Sequence, residues 1–260
     1  ASESCAIDIL KPEWRKEVNP SQIIHVTKNS TEEINLDPND FRDNDKNHHC
    51  VFEHIYFSRP DSSEFNESVF DVREKIGAIL ADEDDIKIDA VVPVPDSANF
   101  IALGYAKQSD IPFNMGLIRN HYVGRTFIKP EQTIRDESVS QKFNSLPNFF
   151  KNKRIVLIDD SIVRGTTMLK IVKLIKDAGV KEIHLRIGSP MVKHSCYYGI
   201  DTPTKDELIA NRKTLDEIKK YLDVDSIKFI SIASLMKTVK SPDNYCYACF
   251  NGDYPVKIEE

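Results

Sequence analysis

The chain has 260 residues, 40% of them hydrophobic, enough for one large domain or two small ones around a buried core. A formal net charge of −6 without a long basic run argues against a nucleic-acid partner, and no apolar stretch reaches the ~18 residues that cross a membrane, so the chain reads as soluble. Five cysteines, Cys5, Cys50, Cys196, Cys246 and Cys249, are too few and too scattered for a disulfide scaffold and point to a reducing, cytoplasmic home.

In chain order, Ala1 stands in place of Met with no cationic-then-apolar leader behind it, which reads as a processed chain or a fragment rather than a secretory precursor. Residues 31–49 are polar and acidic and read as a connector. Over residues 68–80, Val69, Val72, Ile76, Ile79 and Leu80 share one helical face, and "IDAVVPVPDS" (88–97) is a buried strand ending in Pro-Asp-Ser. A helix around Phe100 to Gln108 follows. Residues 116–144, rich in Arg and Lys and broken by Gly124 and Pro130, read either as an irregular surface loop with a short helix or as a mobile cationic lid. Ile155 to Ile158 form a strand covered on both faces, as in a parallel sheet. Met168, Ile171, Val172, Leu174 and Ile175 then recur at helical spacing, with Gly179 placed as a left-handed cap. Strand, polar corner and helix thus occur twice. The fold class is α/β, with a mainly parallel sheet and helices on both faces.

The second corner carries the chemistry. Asp159 and Asp160 end the strand, and Ser161, Ile162, Val163, Arg164, Gly165, Thr166 and Thr167 lead into the helix, at the sheet end where open α/β folds bind ligands. Gly165 permits a tight turn, and helix-start amides favour an anion such as phosphate. Two adjacent carboxylates would repel that phosphate, so they face sugar hydroxyls or a divalent cation, and the loop suggests a sugar phosphate. Asp-Asp-Ser is also compatible with a plain helix cap and Gly165 with a spacer. No G-x-G-x-x-G and no G-K-[ST] is present.

The string 155–167 resembles the phosphoribosyl diphosphate (PRPP) signature of type I phosphoribosyltransferases. Together with "CVFEHIYFSRPDS" (50–62), "VVPVPDS" (91–97), "RNHYVGRTFI" (119–128) and "YYGIDTPTKDELIA" (197–210), in that order, it resembles the glutamine PRPP amidotransferase (amidophosphoribosyltransferase) family over nearly the whole chain. The resemblance implies a type I phosphoribosyltransferase fold over residues 46–260, ending in an Fe–S segment. It makes residues 1–45 the end of an α+β glutaminase (Ntn hydrolase) domain and a linker, the rest of that domain and its amino-terminal nucleophilic cysteine being missing. It implies transfer of phosphoribose from PRPP to ammonia, released from glutamine in the full-length enzyme, giving 5-phosphoribosylamine, diphosphate and glutamate in the first committed step of purine synthesis.

By the same resemblance, Asp159 and Asp160 hold the ribose hydroxyls, the loop Ser161 to Thr167 cradles the 5′-phosphate, and Ser97, Asp159 and Asp160 contact Mg²⁺. Arg119, Tyr122 and Arg125, with Phe127 and Ile128, belong to the flexible loop that completes the PRPP site and an ammonia channel. Ala98 stands where many relatives have Gly, which affects the diphosphate contacts, and Met168 stands where Ser is common. Purine nucleotides as feedback inhibitors and a homotetramer or homodimer are implied as well, with no nucleic-acid or membrane partner. A non-catalytic PRPP-sensing regulatory domain is the alternative function.

Cys246-x-x-Cys249 is compact enough to share a metal, to which Cys50 and Cys196 could add thiolates. All four match the ligands of the 4Fe–4S cluster found in one branch of the family; a zinc site of Cys50, His54, Cys246 and Cys249 is the competing arrangement. Cys5 matches no ligand.

Overall fold

A computed structural model describes all residues except 37–46, 122–141, 203, 257 and 259–260. After a short helix, Ser4–Asp8, comes a hairpin of β1 (Gln22–Val26) and β2 (Thr31–Asn35), so the start of the expected connector is a strand. Strand β3 (His49–Cys50) then leads into a π-helical turn, Glu53–Phe57. Helix α1 (Val69–Asp82) is capped by the Ser68 hydroxyl, which accepts from the Asp71 amide.

Strand β4 (Ala90–Pro93) begins the main sheet and is followed by α2 (Asn99–Ser109). A short antiparallel pair, β5 (Leu117–Arg119) with β6 (Phe143–Ser145), brackets residues 122–141, which lie outside the described residues. Next come β7 (Arg154–Asp159), α3 (Thr166–Asp177), β8 (Glu182–Ile187), α4 (Leu215–Leu222), β9 (Ser226–Phe229) and β10 (Tyr245–Cys246). Strands β4, β7, β8 and β9 lie side by side in that order, all parallel.

The two-residue period of the strands divides their side chains between two cores. Val91, Val156 and Ile158 point to the layer built by Val72, Ile76 and Leu80 of α1 and Ile101 and Tyr105 of α2. Ala90, Val92, Ile155 and Leu157 point to the other, built by Met168, Ile171, Val172 and Ile175 of α3 and Ile218 and Leu222 of α4. Both faces are therefore covered, as the unbroken apolar runs required. Two glycines let α1 and α2 touch along their backbones: a Cβ on Gly77 would lie 1.8 Å from the Ile101 carbonyl oxygen, and one on Gly104 2.0 Å from that of Glu74. Among the described residues no helix is long and apolar enough to cross a membrane.

Candidate active site

The carboxyl ends of β4, β7 and β8 gather three loops. The Val94 amide donates to the Ile158 carbonyl at 2.8 Å and the Gly188 amide to that of Asp159 at 2.9 Å, which fixes the corners against one another. The acid pair sits in the middle. Asp160 is buried, its amide donates to Asp159 Oδ1 at 3.0 Å, and the Ser161 hydroxyl donates to Asp160 Oδ1 at 2.6 Å.

Burial pushes the Asp159 carboxyl well above the usual carboxylate range, and repulsion from Asp160 adds to the rise. Asp160 is raised as well, again by burial, against hydrogen bonds from Ser161 and Ser97 and the positive charge of Arg73. The pair is therefore short of positive charge. Ser97, Asp159 and Asp160 offer a cation a hydroxyl and two carboxylates that gain by its arrival, which is what a hard oxygen-seeking ion such as Mg²⁺ needs.

Past the acids the loop is braced from outside. The Ile209 amide donates to the Val163 carbonyl at 2.9 Å, and Arg164 Nε donates to Glu207 Oε1 at 3.2 Å. The Arg164 side chain is thus held by a carboxylate, and Glu207 is held by it below its usual titration range. Gly165 starts α3 with φ +81°, a backbone conformation that favours glycine, and a Cβ there would have to displace the tip of the Ile209 side chain, whose Cδ1 would lie at 2.6 Å. The first amides of α3, at Thr166 and Thr167, have no carbonyl one turn earlier within the helix to bond, which is the arrangement that favours an anion at a helix start.

Of the sequence-derived site residues, Ser97 and Asp159 to Thr167 converge at these corners, and Arg119 reaches them by donating through Nη1 to Asp96 Oδ2 at 2.8 Å. Tyr122 and Arg125, with Phe127 and Ile128, lie outside the described residues. Sequence reasoning passed over three contributors: Asp96, Glu207 and Arg73. Arg73 is 1% exposed on α1, with Nε donating to the His54 carbonyl and Nη2 to that of Ser58, both at 2.8 Å. Its position one residue after Val72 and four after Val69 places it on the apolar face, a signal that a count of apolar residues alone misses.

A second cluster lies where β3 pairs with β10, with Cys50 and Cys246 opposite each other in the register. The Cys249 carbonyl accepts from the amides of Lys193 and His194, which brings the Cys196 segment alongside. The Cys249 thiol is pushed up by burial and further by Cys50, Cys246 and Cys196, and burial holds Cys50 at about 11. The four thiols are thus close enough to influence one another, although among the described residues no three His, Cys, Asp or Glu side chains form a metal-holding set. His54 Nε2 is engaged with the Tyr245 hydroxyl at 2.9 Å while its buried Nδ1 has no hydrogen-bond partner among the described residues, so one ring nitrogen stays open to the competing zinc arrangement.

The family described as the phosphoribosyl transferase domain matches residues 62–205. Amidophosphoribosyltransferase 1, chloroplastic, of Arabidopsis thaliana is 48% identical over 261 residues, covering 100% of this chain and 45% of its own. The amidophosphoribosyltransferase of Methanothermobacter thermautotrophicus is 44% identical over 99% of this chain and 54% of its own. The chain thus spans about half the length of the curated relatives it matches. The solved glutamine PRPP amidotransferase from B. subtilis, complexed with ADP and GMP, superposes with a TM-score of 0.88 at 39% identity over 100% of this chain and 57% of that one. A parallel sheet ending in an adjacent acid pair, a helix started by Gly165 and similarity along its whole length lead to one conclusion: the chain belongs to the phosphoribosyl transferase domain family and is a homologue of amidophosphoribosyltransferases.

Proposed function

We propose that this chain transfers phosphoribose from PRPP to ammonia, giving 5-phosphoribosylamine and diphosphate, the first committed step of purine synthesis. The observation that carries this reading is the Asp159–Asp160 pair leading into the Gly165-started helix, in a chain similar to amidophosphoribosyltransferases along its whole length.

Asp159 and Asp160 accept hydrogen bonds from the ribose 2′ and 3′ hydroxyls, while the backbone from Ser161 to Thr167 holds the 5′-phosphate. Arg119 would bring positive charge to the departing diphosphate, and Tyr122 and Arg125 belong to the loop that would complete the PRPP site. The bond from C1 to the diphosphate oxygen breaks as ammonia attacks, and the proton that ammonia sheds needs no dedicated side-chain base. Positioning and exclusion of water from the oxocarbenium-like C1 do most of the work. Mg²⁺ at Ser97, Asp159 and Asp160 would supply charge to neutralise the departing diphosphate.

In the longer protein the ammonia would come from glutamine, with residues 1–45 closing a glutaminase domain and residues 46–260 forming the transferase. Cys50, Cys196, Cys246 and Cys249 would hold a 4Fe–4S cluster with a structural role. Three distant segments bring these thiols together, and their mutual destabilisation as thiolates is what bound iron relieves. The B. subtilis relative was solved with ADP and GMP, which supports purine nucleotides as feedback ligands.

The test is to incubate the chain with PRPP, Mg²⁺ and ammonia and assay diphosphate. Diphosphate release should require ammonia and rise with pH as ammonium deprotonates. Glutamine without ammonia should yield no glutamate. PRPP binding without any turnover would favour the sensing alternative.

Glu207 braces the phosphate loop from a half-exposed position. Glu207→Gln should raise the KM for PRPP by roughly two- to fivefold, the scale of one exposed ion pair, with kcat unchanged. Steady-state kinetics checks it; a fall in kcat alone would place Glu207 elsewhere in the reaction.

A further inference from the structure

Asp96 lies one residue before Ser97, and its Oδ2 accepts from Arg119 Nη1 at 2.8 Å, both side chains being 48% exposed. Ser97 in turn hydrogen-bonds the Asp160 carboxylate. A continuous line of contacts therefore runs from Arg119 through adjacent Asp96 and Ser97 to the acid pair. The cation assigned to the diphosphate is already engaged by an anion of the protein itself. That anion sits on the corner of β4, fixed relative to the place where diphosphate leaves.

We propose that Asp96 is an internal stand-in for diphosphate: it holds Arg119 at the site when the site is empty and competes for it when diphosphate is bound, so its carboxylate limits how tightly diphosphate is kept. The proposal rests on the phosphoribosyl-transfer reading above and adds to it a residue that governs product release. The energetics allow the exchange. A single exposed ion pair is weak and easily given up, whereas diphosphate offers the guanidinium several charged oxygens at once. A carboxylate that remains beside Arg119 can also displace diphosphate after the reaction. Asp96 is thus a positioning residue that works against product binding.

This predicts an unusual sign. A residue that merely supports the site weakens ligand binding when removed, but Asp96→Asn should strengthen it. The experiment is calorimetric titration of inorganic diphosphate with Mg²⁺ into the wild-type chain, Asp96→Asn, Arg119→Gln and the double variant. Asp96→Asn should bind diphosphate roughly two- to tenfold more tightly, the span that an exposed ion pair commands. It should also be inhibited by diphosphate at correspondingly lower concentration. Arg119→Gln should bind more weakly, and the gain from Asp96→Asn should vanish in its presence. Wild-type binding that Asp96→Asn leaves unchanged or weakens overturns this proposal alone, as does an equal gain in the Arg119→Gln background. Absence of diphosphate binding in wild type and Asp96→Asn alike overturns both this proposal and the transferase reading beneath it.

Discussion

Asp159→Asn should lower PRPP turnover by roughly ten- to hundredfold while raising thermal stability at neutral pH. On the phosphoribosyl-transfer reading proposed above, the loss of activity follows from replacing a carboxylate that would accept charge-assisted hydrogen bonds from the ribose, each worth about 1.5–3 kcal/mol, by a neutral amide. The gain in stability follows from the direction of the Asp159 shift. Its carboxyl titrates above the usual range in the folded protein because it is buried beside Asp160. A group of that kind contributes stability that is fully present below its unfolded pKa, near 3.9, and lost as pH rises through the folded value. At pH 7 the wild type therefore bears the cost of an anion in a poor environment, and asparagine removes it. The amide oxygen can still accept from the Asp160 N–H, so the corner keeps its shape. Melting curves from pH 4 to pH 8 should show the variant's advantage widening with pH. Full diphosphate release from PRPP and ammonia by both Asp159→Asn and Asp160→Asn would remove the acid pair from the mechanism.

The same corner shows how far the sequence could be read. Unbroken apolar runs at 90–92 and 155–158 could only be strands covered twice, and the covering helices carried their own 3.6-residue signal. Gly179 has the positive φ its place predicted. Residues 31–35 read as a connector because Ile34 is their one aliphatic side chain, and a strand whose five positions are all exposed has no apolar alternation to announce it. Asp96 stands inside the motif VVPVPDS, but nothing local says that an arginine 23 residues later will take its carboxylate. The cysteines show the same limit. Spacing identifies Cys246 and Cys249, whereas Cys50 enters through a strand pairing that joins opposite ends of the transferase portion. Long-range partnerships of polar groups depend on tertiary geometry, and periodicity carries no trace of them.

Arg73 is the extreme case of such a partnership, and Arg73→Met should be among the most destabilising single changes in the chain. Its guanidinium is buried and spans two carbonyls, those of His54 and Ser58, in the turn that follows Cys50. It also supplies the positive charge that offsets burial at Asp160. Methionine fills much of the same volume but leaves two carbonyls without donors and a buried carboxylate without a counter-charge. Breaking a buried charge interaction from one side costs about 3–5 kcal/mol. At roughly 2–4 °C per kcal/mol for a domain of this size, the melting temperature should fall by about 6–20 °C. Arg73→Lys should recover only part of this, because one ammonium keeps the charge but cannot reach both carbonyls in a fixed fork. The electrostatic part can be isolated by adding Asp160→Asn. If Arg73 serves as the counter-charge of the acid pair, the double variant should melt higher than Arg73→Met alone, since removing the carboxylate removes the orphaned charge. Equal melting temperatures for Arg73→Met and the double variant would confine Arg73 to bracing the turn. A fall of less than 2 °C in Arg73→Met itself would mean that the two carbonyls find other donors and that the guanidinium is not what joins the acid pair to the cysteine turn.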